Sequence, residues 1–298
     1  MVTPAPSSTG TPSSGLLNVR DIEVRGAQAV LAARLYRAVE AATKRDSLIV
    51  LFHGGGFVSG DLSDTDEFMR HLVQENPTHI ALSSNYTLAT EQPFPAAVED
   101  AHAVLVWAKK NKSKLGWSGK QLIVAGIDAG ANLAAVCALM SRDRGGPALA
   151  GQILIMPMLD PGLTSGSMRA LPSCPDIAEV ADACAAAYRG YLPNAADRAH
   201  PYASPLQSSR LKSLPPALIL SADDDPLRDE AEQYAAKLIH CGVKTTVRRM
   251  PAAPLQEPGA RNECACKVHA LGAMAAFLAS LEPREVPGPI YPNSTPMK

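Results

Sequence analysis

Neither sign of charge dominates this chain: its 298 residues carry 28 Lys and Arg against 29 Asp and Glu, a formal net charge of −1. Without a basic excess or a long basic run there is no electrostatic argument for nucleic acid or an anionic membrane surface. The expected partner is a small apolar or acyl-type molecule, with a protein partner or a second copy of the chain as the alternative. Long apolar runs are missing too. Nowhere do about eighteen apolar residues pass without a charge or a turn former, which argues against a membrane span. Residues 1–15 are rich in Pro, Ser, Thr and Gly and lack the basic and apolar regions of a signal peptide. A soluble, cytoplasmic protein is expected, with residues 1–19 as a flexible tail.

Cysteine is sparse. Six residues (Cys137, Cys174, Cys184, Cys241, Cys264 and Cys266) in a chain of this length are too few for a disulfide framework, so reduced thiols are expected. Cys264, Cys266 and His269 raise the question of a metal. Their helical register spreads them around the axis and no fourth ligand lies nearby, so ordinary helix packing is the better account. Neither a metal nor a cofactor is expected.

What the sequence does have is apolar residues, 46% of the chain, enough to bury the core of one large domain over residues 20–283. Short apolar runs alternate with longer segments of helical period, the pattern of strands joined by crossover helices. Strands are predicted at 47–52, 80–84, 121–126, 151–156, 217–221 and 244–250. A helix opens at Pro95, another at Pro226 that ends near Gly242, and a closing helix covers 267–281. The predicted fold class is α/β, with a doubly wound, mostly parallel sheet. Residues 161–204 are too long for a simple crossover and contain an Ala-rich helix near 177–191, so they read as a helical cap inserted over the sheet. The Pro-rich residues 284–298 read as a second tail.

In open parallel sheets ligands bind beyond the carboxyl ends of the strands. After the first predicted strand stands His53-Gly54-Gly55-Gly56-Phe57. Consecutive glycines let the backbone approach a ligand and aim N–H groups at it, as an oxyanion hole requires. A phosphate cradle is the rival reading, but no Gly-Lys-[Ser/Thr] follows. After the third strand comes Gly126-Ile127-Asp128-Ala129-Gly130. Its spacing is that of the nucleophile elbow G-x-S-x-G, with aspartate in the central place. The plain alternative is an acidic residue at a helix amino end, stabilising by about 0.3–1 kcal/mol.

Taken together these segments resemble the hormone-sensitive-lipase-like carboxylesterases and lipases of the α/β-hydrolase fold. His53 to Phe57 resembles that family's H-G-G-G-F. Tyr86 with Glu91-Gln92-Pro93-Phe94-Pro95-Ala96-Ala97-Val98-Glu99-Asp100 is similar to its Y-R-L-A-P-E-x-P-F-P-A-A-x-x-D, and Asp225-Pro226-Leu227-Arg228-Asp229-Glu230 to its D-P-L-R-D-E. The resemblance implies that Asp128 occupies the nucleophile position, that Asp225 is the triad acid, and that Gly55, Gly56 and Ala129 form the oxyanion hole. It also implies a histidine in an H-G-F loop after the last strand. An ungapped reading puts Leu255 there and Gln256 at the glycine, and no histidine lies between Cys241 and Lys267.

Those two departures bear on mechanism. Ser–His–Asp hydrolysis needs a hydroxyl and a base that takes and returns its proton, and leucine can do neither. A carboxylate attacking a carboxylic ester would give an anhydride, uphill from the substrate. Some α/β-hydrolases do use an elbow aspartate against sp³ carbon, but they too need a histidine to activate water. The expectation is a pseudoenzyme whose Asp128 carboxylate sits in its own oxyanion hole, with any ligand in an apolar pocket beside Phe57 and Leu255. An active hydrolase working through Asp128 is the alternative.

Overall fold

A computed structural model describes residues 16–39, 45–169, 177–251, 265 and 268–281. Eight strands form one sheet: β1 (Leu17–Arg25), β2 (Val30–Ala38), β3 (Ser47–Phe52), β4 (His79–Ser84), β5 (Gln121–Ile127), β6 (Gly151–Ile155), β7 (Ala217–Ala222) and β8 (Thr245–Met250). Their spatial order is β1-β2-β4-β3-β5-β6-β7-β8. The pairs β1–β2 and β2–β4 are antiparallel and the remainder are parallel. Every residue of β3, β6 and β7 is buried. That accounts for their legibility as unbroken apolar runs, because a parallel strand covered on both faces has no solvent side to mark with polar residues.

Helices cover both faces. The helices are α1 (Asp66–Glu75), α2 (Ala96–Lys110), α3 (Lys112–Leu115), α4 (Ala129–Asp143), α5 (Gly166–Arg169), α6 (Ile177–Tyr191), α7 (Arg228–His240) and α8 (Val268–Ala279). Residues of α2, α4, α6 and α7 share one buried cluster, which includes Val98, Leu133, Tyr188 and Tyr234. Residues of α1 and α8 share the other, which includes Phe68, Met69 and Phe277. The two clusters lie on opposite faces of the sheet, so the doubly wound arrangement predicted from the alternation is the one observed. Helix α4 is buried on all sides, as its nearly continuous Ala, Leu and Val content requires.

The amino-terminal end needs a correction. Leu17, Asn18 and Val19, read as part of a flexible tail, belong to β1, which pairs with β2 from Leu17 opposite Ala38 to Arg25 opposite Val30. Leu17 and Val19 pack against the α1–α8 cluster, and the Arg34 guanidinium holds Asp21 at 2.6 Å and Asp66 at 3.0 Å. Both strands were absent from the sequence reading because their charged residues break the apolar run.

Among the described residues no helix is long and apolar enough to cross a membrane. Between β6 and β7 the chain forms α5, α6 and short 3₁₀ turns; α6 spans the residues where the Ala-rich helix was predicted. Leu255, Gln256, Cys174, Cys264, Cys266 and the 284–298 segment lie outside the described residues. His269 is exposed on α8.

Candidate functional site

The first wall of the site is the turn after β3. Gly55 and Gly56 adopt φ of +97° and +59°, the left-handed region that side chains avoid. A β-carbon on Gly55 would lie 2.3 Å from the Ser59 carbonyl oxygen. His53 is fully buried beneath this turn, its ring stacked on Tyr86 with centroids 4.4 Å apart. Its Nδ1–H donates to the Gly54 carbonyl at 2.8 Å, and burial lowers its pKa, so the ring is a neutral brace. The Tyr86 hydroxyl donates to the His53 carbonyl at 3.1 Å.

The second wall is the junction of β5 and α4. Asp128 stands at φ +56°, ψ −117°, a strained conformation for any residue with a side chain. Four backbone bonds hold it: its N–H donates to the Ile155 carbonyl at 2.9 Å, and its carbonyl accepts from Ala131 at 3.1 Å, Met158 at 3.2 Å and Asn132 at 3.3 Å. The flanking glycines are required sterically. A β-carbon at Gly126 would fall 2.0 Å from the Gly130 carbonyl oxygen, and one at Gly130 would fall 2.1 Å from that of Phe52. Strand, turn and helix thus have the form of a nucleophile elbow.

These two walls meet at one carboxylate oxygen. Asp128 Oδ2 accepts the Gly56 N–H at 2.9 Å and the Gly55 N–H at 3.1 Å. Asp128 does stand at the amino end of α4, as the plain reading has it, but its side chain makes no capping bond to that helix. Ala129, the third expected donor, is buried at the start of α4.

Asp225 follows β7, also at a carboxyl end. It is fully buried, and Oδ1 accepts the Leu227 N–H at 3.0 Å where α7 begins. Beside it the sequence reading passed over a second acid. Glu230 is buried in the first turn of α7, and its Oε1 accepts the Leu159 N–H at 2.6 Å. Burial drives its pKa well up, with Asp160 and Asp225 adding to the rise. Glu230 closes the D-P-L-R-D-E motif and Asp160 follows β6, so both had a positional signal. What no sequence pattern supplied was their burial.

Helix α6 covers the site. Tyr191 stacks face to face on Phe57, centroids 3.8 Å apart and planes within 3°, and a β-carbon on Gly56 would reach within 2.9 Å of the Ala187 β-carbon. Phe57, expected beside an open pocket, is therefore fully buried under Tyr191. Tyr188 lies beside it. Burial raises the Tyr188 pKa, and Glu230 is the strongest of the neighbouring groups that add to the rise. Among the described residues no cluster of His, Cys, Asp and Glu is arranged to hold a metal ion.

An eight-stranded, mostly parallel sheet, an elbow after its fifth strand and a glycine turn facing it define an α/β-hydrolase fold. Comparison with known proteins agrees. The alpha/beta hydrolase fold family matches residues 49–255. Esterase LipI of Mycobacterium tuberculosis is 36% identical over 241 residues, 78% of this chain and 72% of its own length. An arylesterase of Saccharolobus solfataricus is 30% identical over 78% of this chain and 75% of its own. Among solved structures, a hyperthermophilic esterase from the archaeon Pyrobaculum calidifontis superposes with a TM-score of 0.79 at 35% identity, covering 88% of this chain and 83% of that one. The chain belongs to the α/β-hydrolase family, among the carboxylesterases.

Proposed function

We propose that this chain is a non-hydrolytic member of the hormone-sensitive-lipase-like branch: a pseudoenzyme that binds a small apolar or acyl ligand, or a protein partner, through the former ester site. The observation that carries the reading is the Asp128 carboxylate on the Gly55 and Gly56 amides. In an esterase those donors stabilise the oxyanion that develops from the substrate carbonyl. Here they already hold an anion that belongs to the protein, and each such charge-assisted bond contributes about 1.5–3 kcal/mol. An entering ester would have to displace it, and with Leu255 at the histidine position no base would follow.

On this reading Asp225 keeps the triad acid's place and residues 161–204 are the cap, and Tyr191 closes the Phe57 side of the site. The second reading, an active hydrolase working through Asp128, draws on the printed names of the relatives, which are esterases. A panel of short p-nitrophenyl esters separates the two. Turnover at background supports the pseudoenzyme, whereas robust turnover abolished by Asp128→Asn would establish the hydrolase.

A further inference from the structure

The two amides that meet Asp128 are themselves held from outside their turn. Residues 86–89, which follow β4, grip the glycine turn at both of its ends. At the start, the Tyr86 hydroxyl donates to the His53 carbonyl at 3.1 Å and the Tyr86 ring stacks on that of His53. At the end, the Ala89 N–H donates to the Phe57 carbonyl at 2.8 Å. Gly55 and Gly56 lie between these two points, so residues 86–89 form a bracket around the backbone whose N–H groups point at Asp128 Oδ2.

The bracket has a buried anchor. Asp100, in the second turn of α2, accepts the Thr87 N–H at 3.0 Å and the Thr87 hydroxyl at 2.6 Å, both with Oδ2. Its Oδ1 accepts the Ala27 N–H at 2.8 Å, in the turn between β1 and β2. A β-carbon on Gly26 would lie 2.7 Å from that same oxygen, so the hairpin turn is packed directly against the carboxylate. One side chain thus joins the hairpin turn, the bracket and α2. The three groups that it receives are all donors. A carboxylate has an acceptor for each, whereas an amide of the same shape offers one oxygen and an NH₂ group that would oppose an N–H.

We propose that Asp100 is a positioning residue for the Gly55–Gly56 amide pair, acting through Thr87 and the 86–89 bracket, and that the β1–β2 turn is coupled to the site through the same carboxylate. This rests on the reading of the two amides as oxyanion-hole donors and adds what keeps them aimed. Donors of this kind hold an anion well because they need no rearrangement when it arrives. A slackened bracket therefore weakens anion binding even where the turn keeps its path.

Amide hydrogen exchange on the whole chain tests the anchoring, with exchange at Gly55 and Gly56 measured relative to the amides of β3. Asp100→Asn should speed it at least about tenfold. Thr87→Val, which removes only the hydroxyl bond, should act in the same direction and less, and Gly26→Ala should reproduce the effect from the hairpin side. Phe277→Leu, in the cluster on the opposite face of the sheet, controls for a general loss of stability and should leave the ratio unchanged. A second arm uses Asp128→Ala, which frees the pair, and titrates in formate to replace the missing carboxylate, followed by the amide shifts of Gly55 and Gly56. Adding Asp100→Asn should weaken formate at least about fivefold, whereas adding Phe277→Leu should not. An unchanged exchange ratio in Asp100→Asn, or an unchanged formate affinity, overturns the proposal. If Asp128→Ala binds no formate, the reading of the amides as an anion site fails and the exchange ratio alone decides the positioning role. Should Asp100→Asn not fold, Thr87→Val and Gly26→Ala make the same comparison, and no effect in either overturns it.

Discussion

Asp128 Oδ2 and the Gly56 amide nitrogen, 72 residues apart in the chain, lie 2.9 Å apart in the fold. That contact makes a definite forecast for repair. Asp128→Ser clears the oxyanion hole but leaves the hydroxyl without a base, so it should remain at background on p-nitrophenyl acetate. Asp128→Ser with Leu255→His should gain measurable esterase activity, because the members of a triad act as a unit. Equal rates in the single and double variants would show that a different residue serves as base.

The elbow glycines should be among the least replaceable residues in the chain. Gly130→Ala drives a methyl group into the Phe52 carbonyl, where backbone and not a flexible side chain must yield. A loss of about 3 kcal/mol or more is expected in urea denaturation, or failure to fold. Gly272, whose β-carbon would meet open space, is the control: Gly272→Ala in α8 should be neutral or stabilising.

Glu230 should leave a mark on the pH dependence of stability. Its folded pKa is raised well above the ordinary value by burial, while the unfolded chain releases the same proton near the ordinary glutamate pKa of about 4.3. The contribution of the buried acid is therefore complete below that unfolded value and is lost as pH rises toward the folded one. Relative to Glu230→Gln, the parent should lose up to about 1.4 kcal/mol per pH unit above pH 4.3. A difference that stays flat between pH 4 and 8 would show that Glu230 is ionised in the folded protein.

Tyr191 separates the two parts of its own side chain. The ring stacks on Phe57, but the hydroxyl is buried without a partner among the described residues. Tyr191→Phe keeps the stack and removes the orphan, so stability should be unchanged or rise by about 1 kcal/mol. Tyr191→Ala should cost about 3–5 kcal/mol. A large loss in Tyr191→Phe would reveal a hydroxyl contact beyond the described residues.

The sequence was most informative where burial is complete and regular. Strand β3 reads Ser-Leu-Ile-Val-Leu-Phe with nothing exposed, and the glycine spacing at 126 and 130 announces a backbone constraint that the structure then exhibits. It was least informative where stability comes from pairing across distance. In β1 and β2 the polar residues Asp21 and Arg34 belong to a strand pair and a charge network that includes Asp66, and no local pattern distinguishes them from loop residues. Glu230 and Tyr188 failed for a related reason. Glu230 closes a legible motif and Tyr188 stands in an Ala-rich helix, but the burial of both is a tertiary property that neither signal carries.

The strained backbone at residue 128 has a consequence for how chemistry is attached to this fold. The turn is shaped by Gly126, Gly130 and the bonds to Ile155 and Met158, none of which involves the side chain at 128. Position 128 is therefore a socket: the frame holds whatever is inserted at a fixed place and angle without being reshaped by it. A cysteine, or a residue carrying a spectroscopic or photoreactive group, placed there would be presented to the glycine turn on a mount already made for it. The frame can in this way present at residue 128 a reactive group that the chain does not carry there.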